Sequence, residues 1–447
     1  MTNSLQSFEQ EMRSRAQQVI DYALQAGKPY GVTDVKVTFT QNDKKTVTTE
    51  NVISGNTVSA GIVIYAGQKA IDFSPASTEL EVLKSAIDQN LPTLNMVPEN
   101  PYIGLIEPSF VYKGPLEDLE QIDTVGLTDD EMRAFVETMS QTVLSVKQIK
   151  TLRDAGLTSV RGNYVSIATN GADLASSNTY FYAYANAIAE HKKEMQIDYN
   201  GDGAFHASDL LSPEEIGLKT AQSAIAKLNA KTPKTSEQTL ILSPNAAQTF
   251  FGSVFSAISG NVVFEEKTFL KDKIGQRVLN SLVNITDDPT IKRGLGSQVT
   301  DKTGMKSEPV VFVENGILKQ FNVSAQSARK LKLDYIGRND GNTTNVIVSG
   351  GIETPDSLMA DVRDGIYITE FSGGVANVAN GGFSRQAEGH RIVRGRVTNK
   401  AVSSFVVAGS LIDMFQKAVI ANDTPSSTKK RFAVPTTRLD KMRISGK

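Results

Sequence analysis

The 447-residue sequence contains no cysteine, no tryptophan and only three histidines. Without cysteine there is no disulfide, no thiolate metal site and no thiol nucleophile, and the chain suits a reducing, cytoplasmic compartment. The histidines, His191, His206 and His390, are too few for a histidine-rich zinc centre plus any further role. A serine hydrolase is disfavoured on the same ground, and the G-x-S-x-G elbow is missing. Charge of either sign is not in excess: the formal net charge is −2, which gives no electrostatic case for a nucleic-acid partner. No apolar run reaches the roughly 18 residues that span a membrane. The first ten residues lack the basic and apolar regions of a secretory leader, so neither a membrane segment nor export is expected.

What is present is ordinary for a globular chain: 40% hydrophobic and 21% charged residues, at a length that implies two or three domains. Residues 4–26 carry Phe8, Met12, Ala16, Val19, Ile20 and Ala23 at helical spacing, which predicts an amphipathic helix closing near Gly27. Strand-like stretches follow at Asp34 and Lys45, with a hairpin turning at Ala66-Gly67 and a helix from Glu79 to Leu91. The proline-rich segment Pro92–Pro115 reads as a long surface connection. Thr128-Asp-Asp-Glu131 and Ser212-Pro-Glu-Glu215 are capping boxes opening two helices. Between them Thr158–Ile188 reads as long antiparallel strands broken at Thr169–Ala172, the aromatic run from Thr179 packing on helices. The polar stretch Lys231-Thr-Pro-Lys-Thr-Ser236 marks a domain boundary. The expected organisation is α/β (α+β). An N-terminal α/β layer domain covers 1–232, and an antiparallel β-rich, barrel-like or sandwich domain with one buried helix covers 233–447.

Several patterns invite a chemical reading. Asp198-Tyr-Asn-Gly-Asp-Gly-Ala-Phe-His-Ala-Ser-Asp209 matches a calcium loop at positions 1, 3, 5 and 6, with Asp in place of Glu at the last. The residues before it read as a strand, not the required helix, so a turn between strand and helix is expected instead. Glu190-His-Lys-Lys-Glu194 lacks metal-motif spacing, and its two lysines disfavour a cation. The glycine-rich run Glu370–Arg385 has no phosphate-loop lysine; glycines between antiparallel strands serve turns and close backbone approach. The basic tail, Lys429-Lys-Arg and Arg438–Lys447, is short and reads as a solvated or partner-facing end.

The chain is organised around Ser243–Gly260. Ala247, Phe250, Phe251, Val254, Phe255 and Ile258 recur at three- and four-residue steps, with Ser243 as N-cap, Pro244 at the first helical position and Gly260 as stop. This predicts a greasy helix with Phe251 and Phe255 buried. Strands are expected on both sides, at Gln238–Leu242 and Val262–Phe264. Phe255→Ala is accordingly expected to cost about 3–5 kcal/mol.

This helix, together with Lys267-Thr-Phe-Leu, Asp287-Asp-Pro289, Gly294-Leu-Gly, Ser327-Ala-Arg-Lys-Leu331, Gly382-Phe-Ser-Arg385 and Ala408-Gly-Ser-Leu, resembles the TldD/PmbA (modulator of DNA gyrase) family. The likeness is nearest to the TldE (PmbA) branch. In the TldD branch the helix carries H-E-x-x-x-H, which holds the metal of a peptidase. Here the matching positions are Phe251, Gly252 and Ser256, none able to ligate zinc or serve as general base. The resemblance therefore implies a non-catalytic subunit that binds no cofactor itself, pairs with a zinc-bearing TldD-type subunit and encloses peptide or unfolded-protein substrate. It also implies that Gly373, Gly374, Ser384 and Arg385 lie near the peptide cleft. Gln386 and His390 depart from the family's usual glycine and aromatic residue. The alternatives are a self-sufficient metallopeptidase with unrecognised ligands, or a homodimeric or larger peptide-binding scaffold.

Overall fold

The computed structural model describes residues 2–338 and 342–447, with side chains in the first helix from Ser7 onward. The chain opens with α1 (Thr2–Ala26), followed by β1 (Asp34–Thr48), β2 (Val52–Ala66), β3 (Lys69–Phe73) and α2 (Leu80–Asn90). After a long connection come α3 (Asp129–Ser145), β4 (Ile149–Ala168), β5 (Asp173–His191), β6 (Glu194–Ala204) and α4 (Pro213–Ala226). The strands form one antiparallel sheet in the order β3-β2-β1-β4-β5-β6. One face is covered by helices. Met12, Ala16, Val19 and Ile20 of α1 pack with Val35, Val37, Phe39 and Ile62. Met132, Val136 and Met139 of α3 and Ile216 of α4 pack on Ala183, Ala185 and Ala187.

Both capping boxes form. Thr128 accepts from Glu131 N–H while the Glu131 carboxylate takes the Thr128 N–H, and Ser212 and Glu215 repeat the exchange. Local pattern decided these helix starts because each box satisfies two otherwise orphaned donors. The aromatic run of β5 is a strand packed on helices, as expected, but its tyrosines do not make that contact. Phe181 and the alanines face the helices, whereas Tyr180, Tyr182 and Tyr184 lie on the other, half-exposed face of the sheet. Strand alternation puts neighbours on opposite faces, and the alanines leave room for close helix packing.

The second half contains β7 (Ser236–Leu242), α5 (Pro244–Ala257), α6 (Gly260–Phe264), β8 (Asn284–Asp287), β9 (Val310–Glu314) and β10 (Ile317–Leu318). It continues through α7 (Ala325–Leu331), β11 (Val346–Ser349), α8 (Pro355–Met359), β12 (Asp364–Asn377), β13 (Gly382–Val393) and β14 (Arg396–Ser410). It ends with α9 (Leu411–Lys417), β15 (Val419–Ile420), β16 (Phe432–Ala433) and β17 (Thr437–Ser445). β14, β13, β12, β7 and β17 form a sheet that a further β14–β17 pairing closes into a barrel. A second sheet runs β10-β9-β8-β11-β16, and α5 lies among the core residues these strands share. The barrel is not wholly antiparallel: β7 and β12 run parallel. They are far apart in sequence, so no hairpin fixes their direction.

Three local expectations are corrected. Val262–Phe264 is part of helix α6, not a strand; a three-residue apolar run carries no period that separates the two. Gly260 opens that helix and does not stop α5, which ends at Ala257. A Cβ there would sit 2.4 Å from Ser327 Oγ, so the glycine serves close packing of α6 on α7. Pro92–Pro115 is more than a surface connection. Ile106 and Val111 are buried, and the Arg329 guanidinium donates to the carbonyls of Tyr102, Gly104 and Leu105 at 3.3, 3.1 and 2.6 Å. The segment thus straps the first half of the chain to the second.

Candidate functional site

Helix α5 starts where β7 leaves the barrel. Ser243 Oγ accepts from Ala246 N–H at 3.2 Å and donates to Thr369 O at 3.0 Å, tying the helix start to β12. The inner face is a knot of rings: Phe250 meets Phe251, Phe415 and Phe383 at centroid distances of 5.2, 5.1 and 6.4 Å. Phe251 is wholly buried. Phe255 is half-buried, against Phe312 and Phe432, so the expected full burial holds for Phe251 and not for Phe255. Position 255 stands nearly opposite 250 and 257 around the helix, toward the edge of the core.

Gly252 and Ser256 face outward, and the Ser256 hydroxyl is spent on Gly252 O at 3.2 Å. Of the three positions that would carry ligands and base, one is a buried phenyl ring, one has no side chain and one is an exposed hydroxyl. This set does not fit zinc, which takes imidazole, carboxylate or thiolate donors converging on one point. Among the described residues no group of three His, Asp or Glu side chains is placed to hold a metal. His191 and His206 lie at opposite ends of the β5–β6 hairpin, where His191 pairs with Glu194 and Ala204 with Phe181. The His206 ring is held at 2.8 Å from Glu120 O.

The calcium-like pattern is also resolved. Asp198–Ala204 belongs to strand β6, not to a turn. Strand geometry spaces Asp198, Asn200 and Asp202 about 7 Å apart along one face, so they cannot wrap a single ion. Each is engaged separately: Asp198 with Lys227 at 3.2 Å, Asn200 with Ser223 at 2.9 Å, Asp202 with Leu211 N–H and Lys429 at 2.8 Å each. The glycines have another purpose. A Cβ on Gly201 would lie 2.7 Å from the Tyr182 hydroxyl, and one on Gly203 would lie 2.1 Å from that of Tyr180. The hydroxyl ends of the tyrosine rings lie against the glycines of the neighbouring strand. Calorimetry at neutral pH is expected to show no sub-micromolar calcium site, and such a site lost in Asp198→Ala would contradict this assignment.

The glycine-rich run forms the β12–β13 hairpin. Ser372 pairs with Gln386 and Val375 with Ser384, so Gly373 and Gly374 together oppose Arg385 in a bulge. Both glycines have positive φ, 45° and 70°. A Cβ on Gly374 would sit 2.2 Å from Ser384 O, so only glycine fits. The structure thus gathers Gly373, Gly374, Ser384 and Arg385 at one bulge; the glycines and Ser384 are exposed, while Arg385 is partly buried and donates to Gly373 O at 3.4 Å. β12 pairs with β7 only through Gly365–Ile368. Beyond that, where the chain turns into α5, residues 370–377 pair with β13 alone among the described strands, leaving one edge open. His390 sits lower on β13, half-buried opposite Tyr367. Burial pushes its imidazole below the usual range, with Glu388 opposing.

Sequence reasoning missed a charged cluster between the two halves of the chain. Lys227, just after α4, reaches Glu388 at 2.7 Å, Asp198 at 3.2 Å and Glu370 at 3.7 Å. Burial works against the Lys227 charge, but Glu388 and Asp198 outweigh it and hold the ammonium above its usual range. Glu370 is pushed up by burial, with Glu388 and Asp198 adding to the effect and Lys227 opposing it. These residues come from strands and a helix remote in sequence, so no local motif signals them. The cluster borders a cavity of about 440 Å³ lined by Tyr180, Tyr182, residues 198–203, Asn245, Thr369 and Glu370.

The chain is a two-part α/β protein, a strand-helix layer joined to a closed barrel around a buried helix that carries no metal donors. The PmbA/TldA metallopeptidase central domain matches residues 120–228 and the C-terminal domain of the same family matches 235–446; the chain belongs to the PmbA/TldD family. It is 25% identical to the metalloprotease PmbA of Escherichia coli over 400 residues, 89% of this chain and 88% of that one. It is 30% identical to a PmbA homologue of Buchnera aphidicola over 270 residues, about 60% of each chain. The fold matches a candidate modulator of DNA gyrase from Bacteroides thetaiotaomicron with a TM-score of 0.87 at 21% identity, covering 98% of this chain and 99% of that one. It matches TldE from Thermococcus kodakarensis with a TM-score of 0.78 at 18% identity, over 94% and 98%. No helix among the described residues is long and apolar enough to cross a membrane.

Proposed function

We propose that this chain is the TldE-type, non-catalytic subunit of a cytoplasmic two-subunit zinc metallopeptidase acting on peptides or unfolded protein. The observation that carries the reading is the α5 face, where Phe251 is buried, Gly252 is bare and Ser256 bonds its own helix. Hydrolysis needs a Lewis acid and a base held about 3 Å from the scissile carbonyl, and this helix offers neither. Both come from the helix of a TldD-type partner. This chain binds and orients the substrate. The open edge of β12 along 370–377 presents unpaired backbone groups to an extended peptide, the geometry of β-augmentation. The bulge at Gly373-Gly374 lies opposite Arg385, whose guanidinium donates to Gly373 O, and Ser384 stands exposed on the other face of β13.

The test is reconstitution. Mixing this protein with a TldD-type subunit yields chelator-sensitive peptidase activity, and Ser384→Ala and Arg385→Ala in this chain raise KM more than they lower kcat. That split marks loss of uniform binding, not of transition-state contacts. Activity of the partner that is indifferent to this chain contradicts the proposal.

A further inference from the structure

The cleft that holds the Lys227 cluster is bounded by a second open strand edge. β6 ends its sheet, pairing with β5 on one side and with no strand on the other among the described residues. Its residues 198–203 face the cavity of about 440 Å³, across from Thr369 and Glu370, where the open edge of β12 begins. Two edges from different domains thus look into one space. A strand lying along β6 continues both faces of that sheet, because side chains alternate. On one face it meets Tyr199, which is 65% exposed, and the rings of Tyr180 and Tyr182, whose hydroxyl ends lie against Gly203 and Gly201. On the other it meets Asp198, Glu370 and Glu388, three carboxylates that share the single ammonium of Lys227. Glu370 is the least engaged, at 3.7 Å from the lysine with half of its side chain exposed. The remaining charges of the cleft are Asp202, paired with Lys429 at 2.8 Å, and Lys430 on the exposed rim.

We infer that the β6 edge, Tyr199–Gly203, is a second docking rung for the extended peptide, selecting segments in which a basic side chain alternates with an aromatic or large apolar one. The aromatic side chains lie on the tyrosine floor. The basic ones reach Glu370 and relieve a site where carboxylates outnumber their cation. This rests on the peptide-handling reading above and adds to it the location and the side-chain preference.

Amide hydrogen exchange on the full chain, with blocked peptides Lys-Phe-Lys-Phe-Lys and Glu-Phe-Glu-Phe-Glu as probes, separates the two claims. The expected result is that the lysine peptide protects amides of 199–203 as well as 370–377. It binds several-fold more tightly than the glutamate peptide, and Glu370→Gln narrows that gap while leaving the unfolding midpoint unchanged. Protection confined to 370–377 overturns the β6 rung and leaves the β12 edge standing. Protection of 199–203 with equal affinity for both peptides overturns the preference for basic side chains. No protection at either edge, with the chain alone or joined to a TldD-type partner, overturns both readings.

Discussion

Asp287→Ala is expected to destabilise the β-rich half of the chain by about 3–5 kcal/mol, the range for removing one partner of a buried ion pair. Asp287 and Arg338 are among the most enclosed polar residues described, with side chains 0% and 1% exposed. One Asp287 oxygen accepts from Arg338 Nε at 2.6 Å. The other accepts from the backbone N–H and the hydroxyl of Thr344, both at 2.8 Å. Arg338 also donates to the carbonyls of Gly337, Asp287 and Glu308 at 3.1, 3.1 and 2.8 Å. Removing the carboxylate strands a guanidinium that has no route to water and orphans the Thr344 donors. Arg338→Ala is similarly costly, because it leaves the carboxylate and those carbonyls short of donors. The double replacement costs less than the sum of the singles, because each single leaves a charge that the double removes. Urea unfolding midpoints at unchanged slope measure all three. A cost for Asp287→Ala below about 1 kcal/mol would show that water reaches the pair.

Phe250→Ala is expected to cost about 3–5 kcal/mol, as truncation of a fully buried ring. Its ring touches Phe251, Phe383 and Phe415, side chains fixed by α5, β13 and α9, so the void cannot close without moving three elements. Phe255→Ala, at a half-buried position, falls below that range. The two variants therefore rank the inner and outer faces of α5. Equal costs would contradict the orientation of the helix.

What was legible in the sequence is what short-range chemistry dictates. The capping boxes at Thr128 and Ser212 and the Ser243 cap each place a donor and an acceptor within four residues, and each formed. The period of α5 was visible, but its amplitude was not. Periodicity says that one face is apolar and does not say how deep Phe255 lies. The closure of the barrel by β14 on β17 and the parallel β7–β12 pair join residues far apart in the chain, and no local pattern encodes them. The Asp198–Asp209 pattern misleads for an instructive reason. Its glycines answer to tyrosines on the neighbouring strand, which a loop motif cannot register. At the candidate site, the glycine-rich turn was traceable from its residues, whereas singling out Gly373, Gly374, Ser384 and Arg385 rested on the family resemblance. That they form one bulge beside an open edge depends on where β7 stops. The Lys227 cluster brings together residues from α4's end, β6, β12 and β13, and nothing short of the fold assembles it.

This chain belongs to a metallopeptidase family, yet its own α5 lacks the donors and base of hydrolysis. The most direct measurement is turnover of unfolded peptides by the isolated protein, loaded with zinc and freed of any partner subunit. The expected rate is indistinguishable from the buffer background, with or without chelator. Chelator-sensitive turnover that persists after rigorous removal of every partner would contradict it.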